Sequence, residues 1–167
     1  KDWTEYPVLH LDLNGKEYMN PGDLDDILNM HIERWESEYG VTTRYKTVSV
    51  RFQAVIDTAY EKTGKQVVVL IDEYDKPIVD NLGNPELADN FKKTLQGFYS
   101  VLKAKDGQIR FGFLTGVSKI GKLSVFSGLN NLTDISVEPE YSDVCGISEK
   151  DLHKYFDDSV AELAETN

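Results

Sequence analysis

Two adjacent carboxylates at the end of an apolar run point most directly to chemistry in this sequence. Val67, Val68, Val69, Leu70 and Ile71 lead into Asp72, Glu73, Tyr74 and Asp75. A continuous run of this kind reads as a strand buried on both faces, so Asp72 falls at the strand tip and Glu73 follows it. A carboxylate at a strand tip can hold a Mg²⁺-bound water, and Mg²⁺ offsets charge on the β- and γ-phosphates of a nucleotide. The next carboxylate, on the other side of the strand axis, can orient and polarise an attacking water. Asp72 is therefore the candidate metal ligand, and Glu73 the candidate general base, of a Walker B pattern. A hydrophobic strand that merely ends in an acidic turn has the same residues, so the pattern alone leaves both readings open. Asp75 is either an acid behind this pair or the start of a turn before Pro77, and the proline favours the turn.

Such a pattern needs a phosphate-binding loop, and residues 116–122 imitate one. Gly116, Gly121 and Lys122 fit G-x-x-x-x-G-K behind a predicted strand. The following residue should be Ser or Thr, whose hydroxyl reaches Mg²⁺. It is Leu123, and Ser124 stands one position late, about 100° further round a helix. In P-loop ATPases the phosphate loop precedes the acidic strand, whereas this segment follows it. Only a permuted nucleotide-binding domain would rescue the match, which reads as accidental.

Other reactive side chains are scattered. His10, His31 and His153 fall on a strand and two helices without metal-site spacing, so packing or surface positions suit them. Cys145 shows no paired base and is expected to be buried in a turn. Residues 130–134, Asn-Asn-Leu-Thr-Asp, suit a nucleotide or partner contact and a turn of side-chain-to-backbone hydrogen bonds equally well.

Positioning these residues requires alternating strands and helices. Residues 6–13 form a short strand stopped by Asn14-Gly15. Leu24, Ile27, Leu28, His31 and Trp35 recur at helical spacing, with Gly40 at the helix end. Phe52, Val55, Ile56, Ala59 and Tyr60 mark a second helix closed by Gly64. After the acidic strand, Leu87, Phe91, Leu95, Phe98 and Leu102 predict a third helix, and residues 109–115 another strand. Residues 132–137 predict a last short strand. Ser148 caps a C-terminal helix with Asp151 at the reciprocal position. This order defines an α/β domain with a parallel sheet flanked by helices, whose working residues lie beyond the carboxyl ends of the strands.

Composition narrows the function classes. With 18 Lys+Arg against 29 Asp+Glu, the 167-residue chain carries a net charge of −11. That disfavours direct nucleic-acid binding by this piece, and attraction to an anionic membrane. No apolar run approaches the roughly 18 residues a membrane span needs. A single cysteine cannot form an internal disulfide, which favours a reducing, cytoplasmic setting. Beginning at Lys1 directly ahead of an apolar run, the chain is expected to be part of something longer.

The sequence resembles the bacterial AAA-ATPase-like proteins, abundant in gut Bacteroidetes, in which a P-loop ATPase-like domain precedes a PD-(D/E)XK nuclease-like domain. Tyr6-Pro7-Val8 and the run from Val69 through Asp72-Glu73-Tyr74-Asp75-Lys76-Pro77-Ile78 carry the likeness. It continues through Phe98-Tyr99-Ser100-Val101-Leu102-Lys103 and Phe113-Leu114-Thr115-Gly116-Val117-Ser118-Lys119. Phe126-Ser127-Gly128-Leu129-Asn130-Asn131-Leu132, Asp134-Ile135, Tyr141 and Cys145-Gly146-Ile147-Ser148 complete it. The resemblance implies a P-loop NTPase-like fold of the ASCE type, incomplete at the N-terminus. Residues 1–167 would be the Walker B and sensor half of one domain whose Walker A strand, loop and helix lie upstream.

It further implies that Thr115, at the tip of the sensor strand, sits near the γ-phosphate or the attacking water, or else simply closes the strand. Lys119 and Lys122 would supply positive charge to a phosphate, or stand as solvated loop lysines. ATP and Mg²⁺ are the implied cofactors of the longer parent protein, which is expected to be an ATPase. The chain alone is expected to be inactive and to bind ATP weakly. Loss of the Walker A strand is expected to leave an open sheet edge, where either a second copy of the chain pairs or the C-terminal segment shifts to cover it. The alternative function is a protein-interaction module on the same scaffold that does not hydrolyse ATP.

Overall fold

The computed structural model describes residues 3–117, 125, 126, 128–142, 144 and 148–165. The chain forms two compact units, Lys1–Asn130 and Asn131–Asn167.

In the first unit, β1 (Val8–Asp12), β2 (Val67–Asp72) and β3 (Ile109–Leu114) form a parallel sheet in the order β1-β2-β3. Val8 pairs with Val68 and Asp12 with Asp72, while Val68 pairs with Phe111 and Ile71 with Leu114. Parallel neighbours require long crossovers, and helices supply them. α1 (Gly22–Tyr39) and α2 (Val48–Thr63) join β1 to β2, and α3 (Lys76–Val79) and α4 (Pro85–Ala104) join β2 to β3. α1 and α2 end at Gly40 and Gly64, whose φ values of 64° and 65° close each helix with a left-handed residue. Asn84 caps α4 by accepting the Leu87 N–H at 3.3 Å, with Pro85 pre-set at the first helical position.

The predicted apolar stripes form one core. Leu9 and Leu11 of β1 and Val67, Val69 and Ile71 of β2 are buried together with Leu28, Ile32, Phe52, Phe91 and Phe98 from the helices. Phe52 and Phe98 stack with centroids 4.5 Å apart. Arg51 of α2 forks onto Glu36 of α1 at 2.8 and 2.7 Å, joining the two helices outside the core. Ile32, rather than His31, completes the buried stripe of α1. His31 stands half-buried at its margin, 5.8 Å from the Trp35 ring.

β2 is not buried on both faces. Its burial alternates: Val67, Val69 and Ile71 are enclosed, Val68 and Leu70 half-buried, and Asp72 exposed. Side chains two apart share a face, so the register assembles Val8, Val68 and Phe111 in one row and His10, Leu70 and Phe113 in the next. The core helices cover the opposite face. Phe111 is 53% exposed although its strand reads as apolar, because it lies in the row that faces away from the core helices.

In the second unit, residues 132–137 form no strand. Asp134 accepts the Ser136 N–H at 3.0 Å, a local turn bond that competes with ladder pairing, and Pro139 opens a 3₁₀ turn. α5 (Glu149–Tyr155) begins at the predicted capping box, with the Asp151 N–H donating to Ser148 Oγ at 3.1 Å. α6 (Asp157–Glu165) follows it. Among the described residues no helix is long and apolar enough to cross a membrane.

Candidate functional site

The carboxyl ends of the three strands converge on one locus. Asp12 and Asp72 are Cα partners at the ends of β1 and β2, and the Leu13 N–H donates to the Asp72 carbonyl at 3.1 Å. Thr115 continues the β3 register one step past the Ile71–Leu114 pair. Its N–H donates to the Ile71 carbonyl at 2.9 Å, and its carbonyl accepts the Tyr74 N–H at 2.8 Å. With its backbone fixed at both ends, Thr115 donates its hydroxyl to Asp72 Oδ1. The structure thus brings together two of the residues singled out in the sequence, on the sheet face that the helices leave uncovered. Asp12 is occupied locally: its Oδ1 accepts the Asn14 N–H at 2.8 Å.

Glu73 lies outside β2, so strand alternation does not set its direction. Its backbone is left-handed, with φ 56°, a conformation that costs a non-glycine residue roughly 1–2 kcal/mol. Its half-exposed side chain makes no hydrogen bond or ion pair among the described residues. Asp72, Glu73 and Thr115 therefore cluster as an exposed carboxylate with its hydroxyl partner and a second carboxylate held on a strained turn. Strained non-glycine backbone of this kind concentrates at functional sites.

Behind the cluster the packing is tight. Tyr74 is buried, its ring 4.7 Å from that of Phe126, and its carbonyl accepts the Tyr99 hydroxyl at 3.0 Å. Burial holds the Tyr99 phenol far above its usual titration range, which keeps it a donor. Asp75 does start a turn: its carbonyl accepts the Ile78 and Val79 N–H groups, both at 3.0 Å, opening α3. Its side chain is fully buried, however, and Oδ1 accepts the Val117 N–H at 3.2 Å. The sequence left an acid behind the pair as the alternative to the turn, but gave no sign of this burial, because an acidic residue beside Lys76-Pro77 has the signature of an exposed turn. It also missed Gly116, where an added Cβ would fall 2.5 Å from Tyr74 Cε1 and 2.6 Å from Asp75 Oδ1.

Lys119 and Lys122 lie outside the described residues, as do most of the loop 116–122 and Cys145. His10 and His153 are exposed, and His153 pairs with Asp157 at 3.0 Å. Among the described residues no three His, Cys, Asp or Glu side chains come together as a metal cage. Asp72 and Thr115 are instead a pair of hard oxygen donors. They suit Mg²⁺, which takes one or two protein ligands and fills its shell with water and phosphate oxygens.

A three-stranded parallel sheet with helical crossovers is an α/β arrangement compatible with a P-loop-like fold. A family model described as Predicted AAA-ATPase matches residues 1–126. The chain belongs to this AAA-ATPase-like family. It is also similar to an uncharacterized protein in the vnfD 5′ region of Azotobacter chroococcum mcd 1, at 42% identity over 156 residues. The aligned part is 93% of this chain and 30% of that relative, so the chain spans less than a third of the relative's length. No solved structure matches the chain.

Proposed function

We propose that this chain supplies the Mg²⁺-binding and water-activating side of a Mg²⁺-dependent ATPase of the P-loop, ASCE type. The observation that carries this reading is the Asp72–Thr115 hydrogen bond at adjacent parallel strand tips, with Glu73 on the next residue. When bound, Mg²⁺ would offset phosphate charge. Asp72 is the residue that would hold it, directly or through a water. Glu73 accepts a proton from the attacking water as the water oxygen bonds to the γ-phosphorus and the β–γ bridging P–O bond breaks, leaving ADP. An unpaired, half-exposed carboxylate has free lone pairs for that proton. Thr115 orients Asp72 from one side and stands beside the γ-phosphate or the water. Lys119 and Lys122, outside the described residues, are candidates from the sequence alone for positive charge toward a phosphate. A cytoplasmic setting suits a protein that uses Mg²⁺ and ATP.

Asp72→Asn tests the metal assignment in the full-length protein. Removing one charge from the metal's shell should weaken Mg²⁺-dependent nucleotide binding and hydrolysis together. Unchanged Mg²⁺ dependence of both would remove Asp72 from the site. The chain alone carries a net charge of −11 and is expected to bind ATP·Mg²⁺ no tighter than about millimolar, roughly −4 kcal/mol, in titration calorimetry. Micromolar binding would restore residues 116–122 as a phosphate loop.

A second reading is a protein-interaction module that does not hydrolyse ATP. The uncovered apolar rows ending at Phe111 and Phe113 favour it, since such a sheet face suits a partner surface. Full nucleotide turnover by the full-length protein would exclude it.

A further inference from the structure

We infer that Asp75 is a positioning residue that locks the turn after β2 to the segment after β3, and so keeps Thr115 on Asp72. Its consequence for turnover rests on the ATPase reading above, whereas its geometry stands without it.

Asp75 and Asn81 are the buried polar side chains among the described residues, and Asp75 is 0% exposed. Burying a carboxylate is costly unless hydrogen bonds compensate it. Asp75 meets that condition by accepting the Val117 N–H, 42 residues away in sequence. Its backbone is held independently, through the α3 N–H groups of Ile78 and Val79. Gly116 lies between the two partners, against the Tyr74 ring and the Asp75 carboxylate, in a space no Cβ fits. Thr115 is fixed by Ile71 and Tyr74. Three consecutive residues after β3 are therefore anchored, one after another, to residues 71–75. Thr115 needs this support, because its hydroxyl bond to Asp72 is exposed to water on the open face. Without the Asp75 bond the segment is free to peel from its Val117 end. Displacement of a positioning group by about 1 Å is enough to lower turnover by roughly 10²-fold.

Two experiments test this, and they separate it from the ATPase reading. In hydrogen exchange on the 167-residue chain, the Val117 amide should be protected. Asp75→Asn, which keeps an acceptor oxygen, should retain most of that protection, and Asp75→Ala should lose at least about tenfold of it. Equal Val117 exchange in wild type and Asp75→Ala would overturn the inference, whatever the protein does with ATP.

In the full-length protein, turnover is measured for Asp75→Ala, Thr115→Ala and the double variant, at a temperature where circular dichroism shows each folded. Acting through Thr115, Asp75→Ala should lower kcat by roughly 10²-fold in wild type with KM nearly unchanged, and by less than about threefold in Thr115→Ala. Asp75→Asn should rescue most of the loss. Multiplying effects would show that Asp75 acts independently of Thr115 and would overturn the inference. Should Asp75→Ala not fold, the same cycle run with Asp75→Asn, with a smaller but equally non-additive loss, decides the question.

Discussion

Replacing Glu73 by glycine should make the protein more stable while abolishing the activity proposed for it. A Glu→Gly change normally destabilises, because glycine loses roughly 0.5–1 kcal/mol more conformational freedom on folding. At Glu73 the backbone is left-handed, with φ 56°, and the side chain makes no hydrogen bond or ion pair that would be forfeited among the described residues. Relief of the left-handed conformation returns roughly 1–2 kcal/mol. The difference is a net stabilisation of about 0–1.5 kcal/mol. Glu73→Asn should fall between the two, since asparagine tolerates this region better than glutamate. Glu86→Gly in the first turn of α4, where φ is ordinary, should lose about 0.5–1 kcal/mol and serves as the control of opposite sign. Urea unfolding followed by circular dichroism, with an unchanged m-value, measures each difference. A Glu73→Gly variant less stable than wild type by 0.5 kcal/mol or more, at about the resolution of such measurements, would refute the strain argument. With it would go the idea that the turn trades stability for the position of the carboxylate.

Gly116→Ala should cost about 2–3 kcal/mol, the upper part of the overpacking range, because the nearest obstacle is the buried Tyr74 ring. Gly112→Ala, on β3 with nothing within 4 Å, should stay within about 0.5 kcal/mol, and equal losses in urea unfolding would contradict the close approach. His31 is held below its usual pKa mainly by burial, its bond to the Asp12 carbonyl opposing this. The unfolded chain therefore binds the proton more readily. The stability His31 contributes is present above about pH 6.5 and is lost as pH falls below it. His31→Gln should flatten the stability–pH profile between about pH 5 and 7, and an unaltered slope would count against it. The β3 edge, unpaired among the described residues, should make the 167-residue chain self-associate in light scattering. A monomer at all concentrations would count against an available edge.

The fold was legible where the physical signal is local and repetitive. The stripes of α1, α2 and α4, the glycine stops at Gly40 and Gly64, and the Ser148–Asp151 capping box follow from spacing and capping chemistry. The apolar run of β2 gave its position and its acidic tip, but not its burial. A run of valines cannot report that helices cover one face alone, since that depends on what else packs there. Residues 132–137 have a strand-like composition, yet the Asp134 turn and Pro139 divert them, which local propensity weighs poorly. Within the site, Asp72 was singled out from its strand end and Thr115 from the family resemblance, and their hydrogen bond follows from the β2–β3 register. The contacts of Asp75 with Gly116 and Val117 were not legible, because a contact between positions 42 residues apart leaves no trace in a single sequence. The left-handed turn at Glu73 was equally hidden, since glutamate carries no mark of the conformation that glycine would advertise.

The central claim is that Glu73 is the base of an ATPase, and ATP turnover by the full-length protein carrying Glu73→Gln tests it most directly. Glutamine keeps the size and one hydrogen-bonding oxygen but cannot take the proton. Binding of ATP·Mg²⁺ should stay near wild type while hydrolysis falls by about 10²-fold or more, the usual scale for a lost general base. Hydrolysis at the wild-type rate, in a variant whose thermal unfolding is unchanged, would contradict the account and remove Glu73 from the chemistry.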